Sequence, residues 1–161
     1  SSAASDVYKR QRRKHEIVYI RLMTKLQLDW EIECDFNLYG IGSHFGSHRL
    51  CFDLNRLFRW QLSFDRTLVG VSKIGNSQHV VHRYIDEGLG LDAALILNRV
   101  PEGVLASGAS SFDYLLRIRK GVAEELDIIK TIRKSNLVTL VTSLVPEDTG
   151  ALDSMFELDE L

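Results

Sequence analysis

The hydrophobic positions of this chain change period most sharply between Ser110 and Lys134, in SSFDYLLRIRKGVAEELDIIKTIRK. Phe112, Tyr114, Leu116 and Ile118 alternate with Asp113, Leu115, Arg117 and Arg119, the period of two that predicts a strand with one face more buried. After Lys120 and Gly121, Val122, Leu126, Ile129 and Ile132 recur every three or four residues, with Glu124, Glu125, Asp127, Lys130, Arg133 and Lys134 supplying most of the other face. This spacing predicts an amphipathic helix on a sheet, and its acidic early turns and basic last turn suit the helix dipole.

The same reading extends along the chain. Leu26, Leu28, Trp30, Ile32 and Cys34 alternate with polar residues as a half-buried strand, and Phe36, Leu38 and Gly40 continue the pattern until the Gly40 to Ser43 run breaks it. Ser47 is a permitted N-cap for a helix ending by Arg59 or Trp60, whose stripe is Leu50, Cys51, Leu54, Leu57 and Phe58. Strands are expected at Trp60 to Phe64, Thr67 to Ile74, Gln78 to Asp86 and Leu91 to Asn98. The turns between them fall at Gly75-Asn76-Ser77 and Asp86 to Gly90, and another at Pro101-Glu102-Gly103 leads to the small-residue link Ala106 to Ser111. Leu137 to Val145 is a continuous apolar and β-branched run, expected as a strand with both faces largely covered and ended by Pro146. The fold class predicted is α+β: a single antiparallel or mixed sheet of about six to seven strands with two main helices packed on one face.

Composition bounds this picture without changing it. A chain of 161 residues with 45% hydrophobic and 26% charged residues is long enough for one core. It has no apolar run of membrane-spanning length and no signal-peptide pattern, so a soluble cytoplasmic domain is expected. Cys34 and Cys51 are too few for a disulfide framework and are expected to be reduced thiols.

Charge divides the chain at its start. Within residues 1–22, Lys9, Arg10, Arg12, Arg13, Lys14 and Arg21 face only Asp6 and Glu16, giving +4 and leaving −6 of the formal total of −2 for residues 23–161. The Asp6 to Gln11 run DVYKRQ resembles the translation of a transposon end used in sequencing-library preparation, and residues 1–22 are expected to be a non-native or read-through segment. The competing reading makes Ile17 to Leu22 a strand of strong β-formers. Without the basic cluster, an acidic remainder gives no reason to expect nucleic acid as a partner. The domain is expected to span 23–146, followed by an acidic tail over 147–161 with one docked turn at Leu152, Met155 and Phe156.

Three constellations are candidates for chemistry. Gly40, Gly42, Ser43, Gly46 and Ser47 lie between a strand and a helix, with Asp65 beyond, and imitate a phosphate-binding turn; Phe45 stands where the third glycine of G-x-G-x-x-G would be. The alternative use of those glycines is a tight turn. His44 and His48, flanked by Cys34 and Cys51, are zinc-binding residue types at a spacing that matches no structural zinc pattern, and His79 and His82 point to opposite faces of a strand. Ser107, Ser110, Ser111, Asp113 and the histidines supply the ingredients of a hydrolase triad without a G-x-S-x-G elbow. No arrangement meets the requirements of an active site, and no cofactor is called for.

One resemblance covers about residues 23–156. Gly40-Ile41-Gly42-Ser43-His44, His48-Arg49-Leu50, Leu54-Asn55, Leu97-Asn98 and Phe112 to Ile118 are similar to the pattern of a small bacterial family associated with Bacteroidota, named for its I-P-E-x-x-x-V-D-Y stretch, with no established activity. Ala106-Ser107-Gly108 stands where that family has I-P-E, so the proline and carboxylate are replaced by Ser107 and Gly108. The resemblance singles out His48, Arg49, Leu50, Asn55, Asp113 and Tyr114 as motif residues. The expected function is a non-enzymatic cytoplasmic interaction domain of this type, acting on a protein partner or by self-association, with neither nucleic acid nor membrane as partner. The alternative is a small-molecule or nucleotide-binding domain using the Gly40–Ser47 turn.

Overall fold

The computed structural model describes residues 34–119 and 125–160. The chain divides into two compact units, Ser1–Cys34 and Asp35–Leu161, and the fold described is that of the second. The expected read-through segment 1–22, and the expected strand from Leu26 up to Glu33, lie outside the described residues.

Among the described residues there are eight strands, β1 (Asn37–Gly42), β2 (Ser63–Ser72), β3 (Gly75–Asp86), β4 (Leu91–Leu97), β5 (Arg99–Val100), β6 (Gly103–Val104), β7 (Tyr114–Arg119) and β8 (Leu140–Leu144). Three α-helices are described, α1 (Ser47–Phe58), α2 (Glu125–Arg133) and α3 (Leu152–Glu157). Six strands form one sheet in the order β2-β3-β4-β7-β1-β8 with every neighbouring pair antiparallel, and β5 and β6 make a separate two-stranded hairpin. No helix among the described residues is long and apolar enough to cross a membrane.

The apolar stripe of α1 buries Leu50, Cys51 and Leu54 in a cluster with Ile128 and Ile132 of α2, Tyr39 and Ile41 of β1, Ala93 and Leu95 of β4, and Leu116 and Ile118 of β7. Gly46, rather than Ser47, is the N-cap of α1. Arg59 closes the helix in the left-handed region, its N–H donating to the Asn55 carbonyl, and Trp60 stacks on Phe58 with ring centres 4.0 Å apart. The Asn55 side chain then holds the exit in place, accepting from the Leu62 N–H at 2.8 Å and donating to the Leu62 carbonyl at 3.2 Å.

Several expected elements are redrawn. The two strands expected at Trp60 to Phe64 and Thr67 to Ile74 are one continuous β2 with a bulge between Phe64 and Arg66. Its hairpin turn is Lys73-Ile74, since Ser72 pairs with Gly75, and the expected turn residues Gly75 to Ser77 belong to β3. β7 is central, so both of its faces are buried instead of one, Leu115 and Arg117 as fully as Leu116 and Ile118. β8 is an edge strand with Leu140 exposed, where the sequence predicts two covered faces.

The acidic tail is more ordered than expected, and the docked turn expected at Leu152, Met155 and Phe156 falls in a helix. Residues 146–160 turn through a short 3-10 segment, Pro146–Asp148, into α3, with Met155 and Leu158 fully buried. Arginines of the sheet receive this segment: Arg117 Nη1 donates to the Met155 carbonyl at 2.8 Å, Arg83 Nη1 to Leu158 at 2.5 Å, and Arg66 Nη1 to Glu157 at 3.2 Å and Glu160 at 3.1 Å. These bonds satisfy carbonyls that a helix C-terminus leaves without intrahelical partners. Asp159 adds ion pairs to Arg117 at 3.1 Å and Arg119 at 2.9 Å, and Asp92 of β4 joins Arg83 at 2.6 Å to Arg117 at 3.2 Å.

Candidate functional site

The Gly40–Ser47 turn is built from strand ladder and long-range hydrogen bonds. Gly40 and Gly42 are residues of β1, Gly40 paired on both sides, to Leu115 and Thr142, and Gly42 on one, to Leu140. A Cβ on Gly40 would lie 2.6 Å from the Phe112 ring, so the glycine there admits an aromatic ring against the backbone. The Gly42 carbonyl accepts from the Thr139 N–H at 2.8 Å and from its hydroxyl at 3.1 Å. Ser43 is buried; its N–H donates to Asp113 Oδ2 at 2.9 Å and its hydroxyl to the Leu137 carbonyl at 2.7 Å. Tyr114 donates to the Phe45 carbonyl at 2.6 Å, and burial pushes its phenol up to about 12, which keeps the proton on this donor. Gly46 and Ser47 begin α1, with Gly46 free of contacts around its Cβ position.

In one respect this arrangement differs from a phosphate cradle. A phosphate turn offers free N–H groups to an anion, whereas here a carboxylate of the protein itself occupies the Ser43 amide. Asp113, 4.0 Å from Arg99, therefore acts as the turn's anchor.

Of the other residues of the resemblance, Asn98 also binds the chain's own backbone. Asn98 donates to the Ala109 carbonyl at 2.9 Å and to the Phe112 carbonyl at 2.8 Å, and accepts from the Ala106 N–H at 2.9 Å. Leu50 is core, and the Arg49 guanidinium lies over the Phe45 ring at 4.6 Å. At the replaced motif, Gly108 donates its N–H to the Thr149 carbonyl at 2.8 Å, and a Cβ there would stand 2.0 Å from the Asp148 carbonyl oxygen. The glycine is what lets the 146–149 turn come this close.

The histidines separate into three settings. His44 is exposed in the turn before α1. His48, in the first turn of α1, packs its ring against His82 of β3, with centres 5.4 Å apart and planes at 79°. His79 is fully buried and forms a closed chain with Ser77: Ser77 Oγ lies 2.7 Å from His79 Nε2, and His79 Nδ1 lies 2.8 Å from the Leu97 carbonyl. The carbonyl can only accept, so Nδ1 carries the proton and Nε2 accepts from the Ser77 hydroxyl. Burial pushes the His79 imidazole below its ordinary value, against the hydrogen bond to Leu97 and the charge of Glu102. Ser77 is buried as well, so this serine and histidine pair is shut off from solvent.

Neither cysteine is in a disulfide, and burial pushes the Cys51 thiol up to about 12, away from the thiolate that a metal would need. Among the described residues no group of three or more His, Cys, Asp or Glu side chains is placed to hold a metal ion. A cavity of about 410 Å³ beside the end of α2 and β8 is lined by Arg133, Val138, Thr139, Leu140 and Val141, a set without a carboxylate, thiol or imidazole.

The most exposed apolar side chains among the described residues lie on β2 and its hairpin tip. Among the described residues β2 is an outer strand of the sheet, and Val69 is 52%, Val71 83% and the hairpin-tip Ile74 95% exposed, with Phe64 and Phe52 also open. The signal was present in Thr67-Leu68-Val69-Gly70-Val71-Ser72, a β-rich run without charge or proline. No protein-family model matches the chain, and a comparison with curated proteins finds no match.

Proposed function

We propose that this chain is a cytoplasmic interaction domain without catalysis of its own, and that it associates through the open edge of β2 with the β2 strand of a second copy. The observation that carries the reading is an outer strand of ten residues whose outward side chains, Val69 and Val71, are apolar and exposed. Edges of this kind are normally blunted by charge, proline or a bulge, and the bulge of β2 lies at its far end, between Phe64 and Arg66. A two-fold antiparallel pairing centred on Val69 sets Val69 against its own copy and Thr67 against Val71, and places Lys73 opposite Asp65. Such an isologous contact is self-complementary and brings no like charges face to face.

The resemblance to the I-P-E-x-x-x-V-D-Y proteins supports a non-catalytic role, because Ser43, Asn55, Asn98, Asp113 and Tyr114 all serve the chain's own backbone. The alternative of a nucleotide in the Gly40–Ser47 turn has the Asp113 carboxylate against it. Light scattering coupled to size exclusion across a wide concentration range tests the proposal. A dimer is expected that Val71→Lys converts to a folded monomer. A chain that stays monomeric at high concentration, or a dimer indifferent to Val71→Lys, would overturn it.

A further inference from the structure

We propose that His48 and His82 form a two-histidine site for a transition-metal dication of the zinc type, at the joint between α1 and β3. His82 is 3% exposed, yet neither of its ring nitrogens has a hydrogen-bond partner. Buried imidazole nitrogens left in this way are costly, and an ion or water is the usual explanation. The nearest ring is that of His48, which reaches solvent and so gives an ion a path in.

The spacing suits coordination. A ring nitrogen about 2.0–2.1 Å from zinc puts the ring centre about 3.2 Å from the ion, so two rings on tetrahedral positions stand roughly 5.2 Å apart. The observed separation is 5.4 Å, with the planes turned 79° from each other. Coordination gives one His82 nitrogen the partner it lacks, and the remaining positions on the ion stay open to water or to a donor from another molecule. An all-imidazole pair selects Zn²⁺, Ni²⁺, Co²⁺ or Cu²⁺ over Mg²⁺ and Ca²⁺, which take oxygen ligands. Phe64, whose ring centre is 6.4 Å from that of His82, flanks His82 on the β2 side.

The site is independent of the β2 association and can fail without it. The test uses the full chain, freed of metal by chelation and titrated with Zn²⁺ alone while its melting temperature is followed, since an ion that binds only the folded state raises it. A rise that saturates with Zn²⁺ is expected, and Co²⁺ should give the visible absorption of a coordinated ion. His48→Ala removes an exposed side chain, so it should melt as the parent does without metal and lose the rise. His44→Ala should keep it. The absence of any rise, a rise that survives in His48→Ala, or one lost in His44→Ala would each overturn the proposal.

Discussion

A methyl group at residue 40 would stand 2.6 to 2.8 Å from three atoms of the Phe112 ring, closer than a side chain can approach without something moving. The ring cannot retreat freely, because Phe112 is buried and its carbonyl is held by Asn98. Gly40→Ala should therefore destabilise the domain by about 1–3 kcal/mol, the usual cost of overpacking a closed site. Phe112→Leu in the same chain should return part of that loss, because the two positions share one contact. Denaturant melts of both single variants and the double variant check this; strictly additive losses would show that the ring is not what the methyl meets. The glycine itself was legible as a place where regular side-chain alternation stops. The ring it admits was not, because Phe112 comes seventy-odd residues later, and Asp113, which ties down the following turn, is 70 residues from Ser43.

Elements were legible wherever their own pattern determined them. α1 runs over the residues its stripe predicts, with Leu50, Cys51 and Leu54 inward, because 3.6-residue periodicity is a local property. Whether a strand is central or at an edge depends on its neighbours, and so β7 and β8 exchanged the burial their sequences suggest. α3 is the clearest case. Its acids suggest solvent, but Asp159 sits among Arg83, Arg117 and Arg119, which the chain brings from two other strands. Burial works to raise the Asp159 carboxyl, but the hydrogen bonds and charges of Arg119 and Arg117 outweigh it and hold the group below its ordinary 3.8. A carboxyl lowered by folding stabilises the native state above its unfolded pKa, and that stability is lost as pH falls through the folded value. Asp159→Asn should therefore lower stability at neutral pH and flatten its decline in acid. Urea melts at a series of pH values from neutral to below 3.8 measure the slope, and an unchanged slope would mean that these ion pairs do not form in solution.

At the scale of the molecule, the sheet has two faces to cover and the chain covers them at different times. α1 and α2 share one cluster with the residues Tyr39, Ile41, Leu116 and Ile118, while the alternate positions Leu38, Leu115 and Arg117 face the other way and are equally buried. The 146–160 segment, tied to Arg117 through Met155 and Asp159, is what the second side has at the end of the chain. An α+β fold with an antiparallel sheet was legible in the sequence because alternation and short turns recur. Of the second covering layer only the docked turn at Leu152, Met155 and Phe156 was legible, because its hydrophobic residues are few and its binding groups are carbonyls, which leave no mark on the sequence. Ending the chain at Val145 should then do more than remove a tail. Arg117, 0% exposed, would lose the Met155 carbonyl and Asp159 and keep Asp92 and the face of Phe36, and leaving a buried charge short of partners costs about 3–5 kcal/mol. Uncovering the apolar residues beside it adds roughly 25 cal/mol for each Å² returned to water. Set against the ~5–15 kcal/mol by which a domain is normally stable, that is enough to leave the truncated chain partly or wholly unfolded. A denaturant melt and the near-ultraviolet circular dichroism of the shortened chain decide the matter: a cooperative transition within about 1 kcal/mol of the parent, the scale of an exposed change, would show that the sheet's second face needs no cover from this segment.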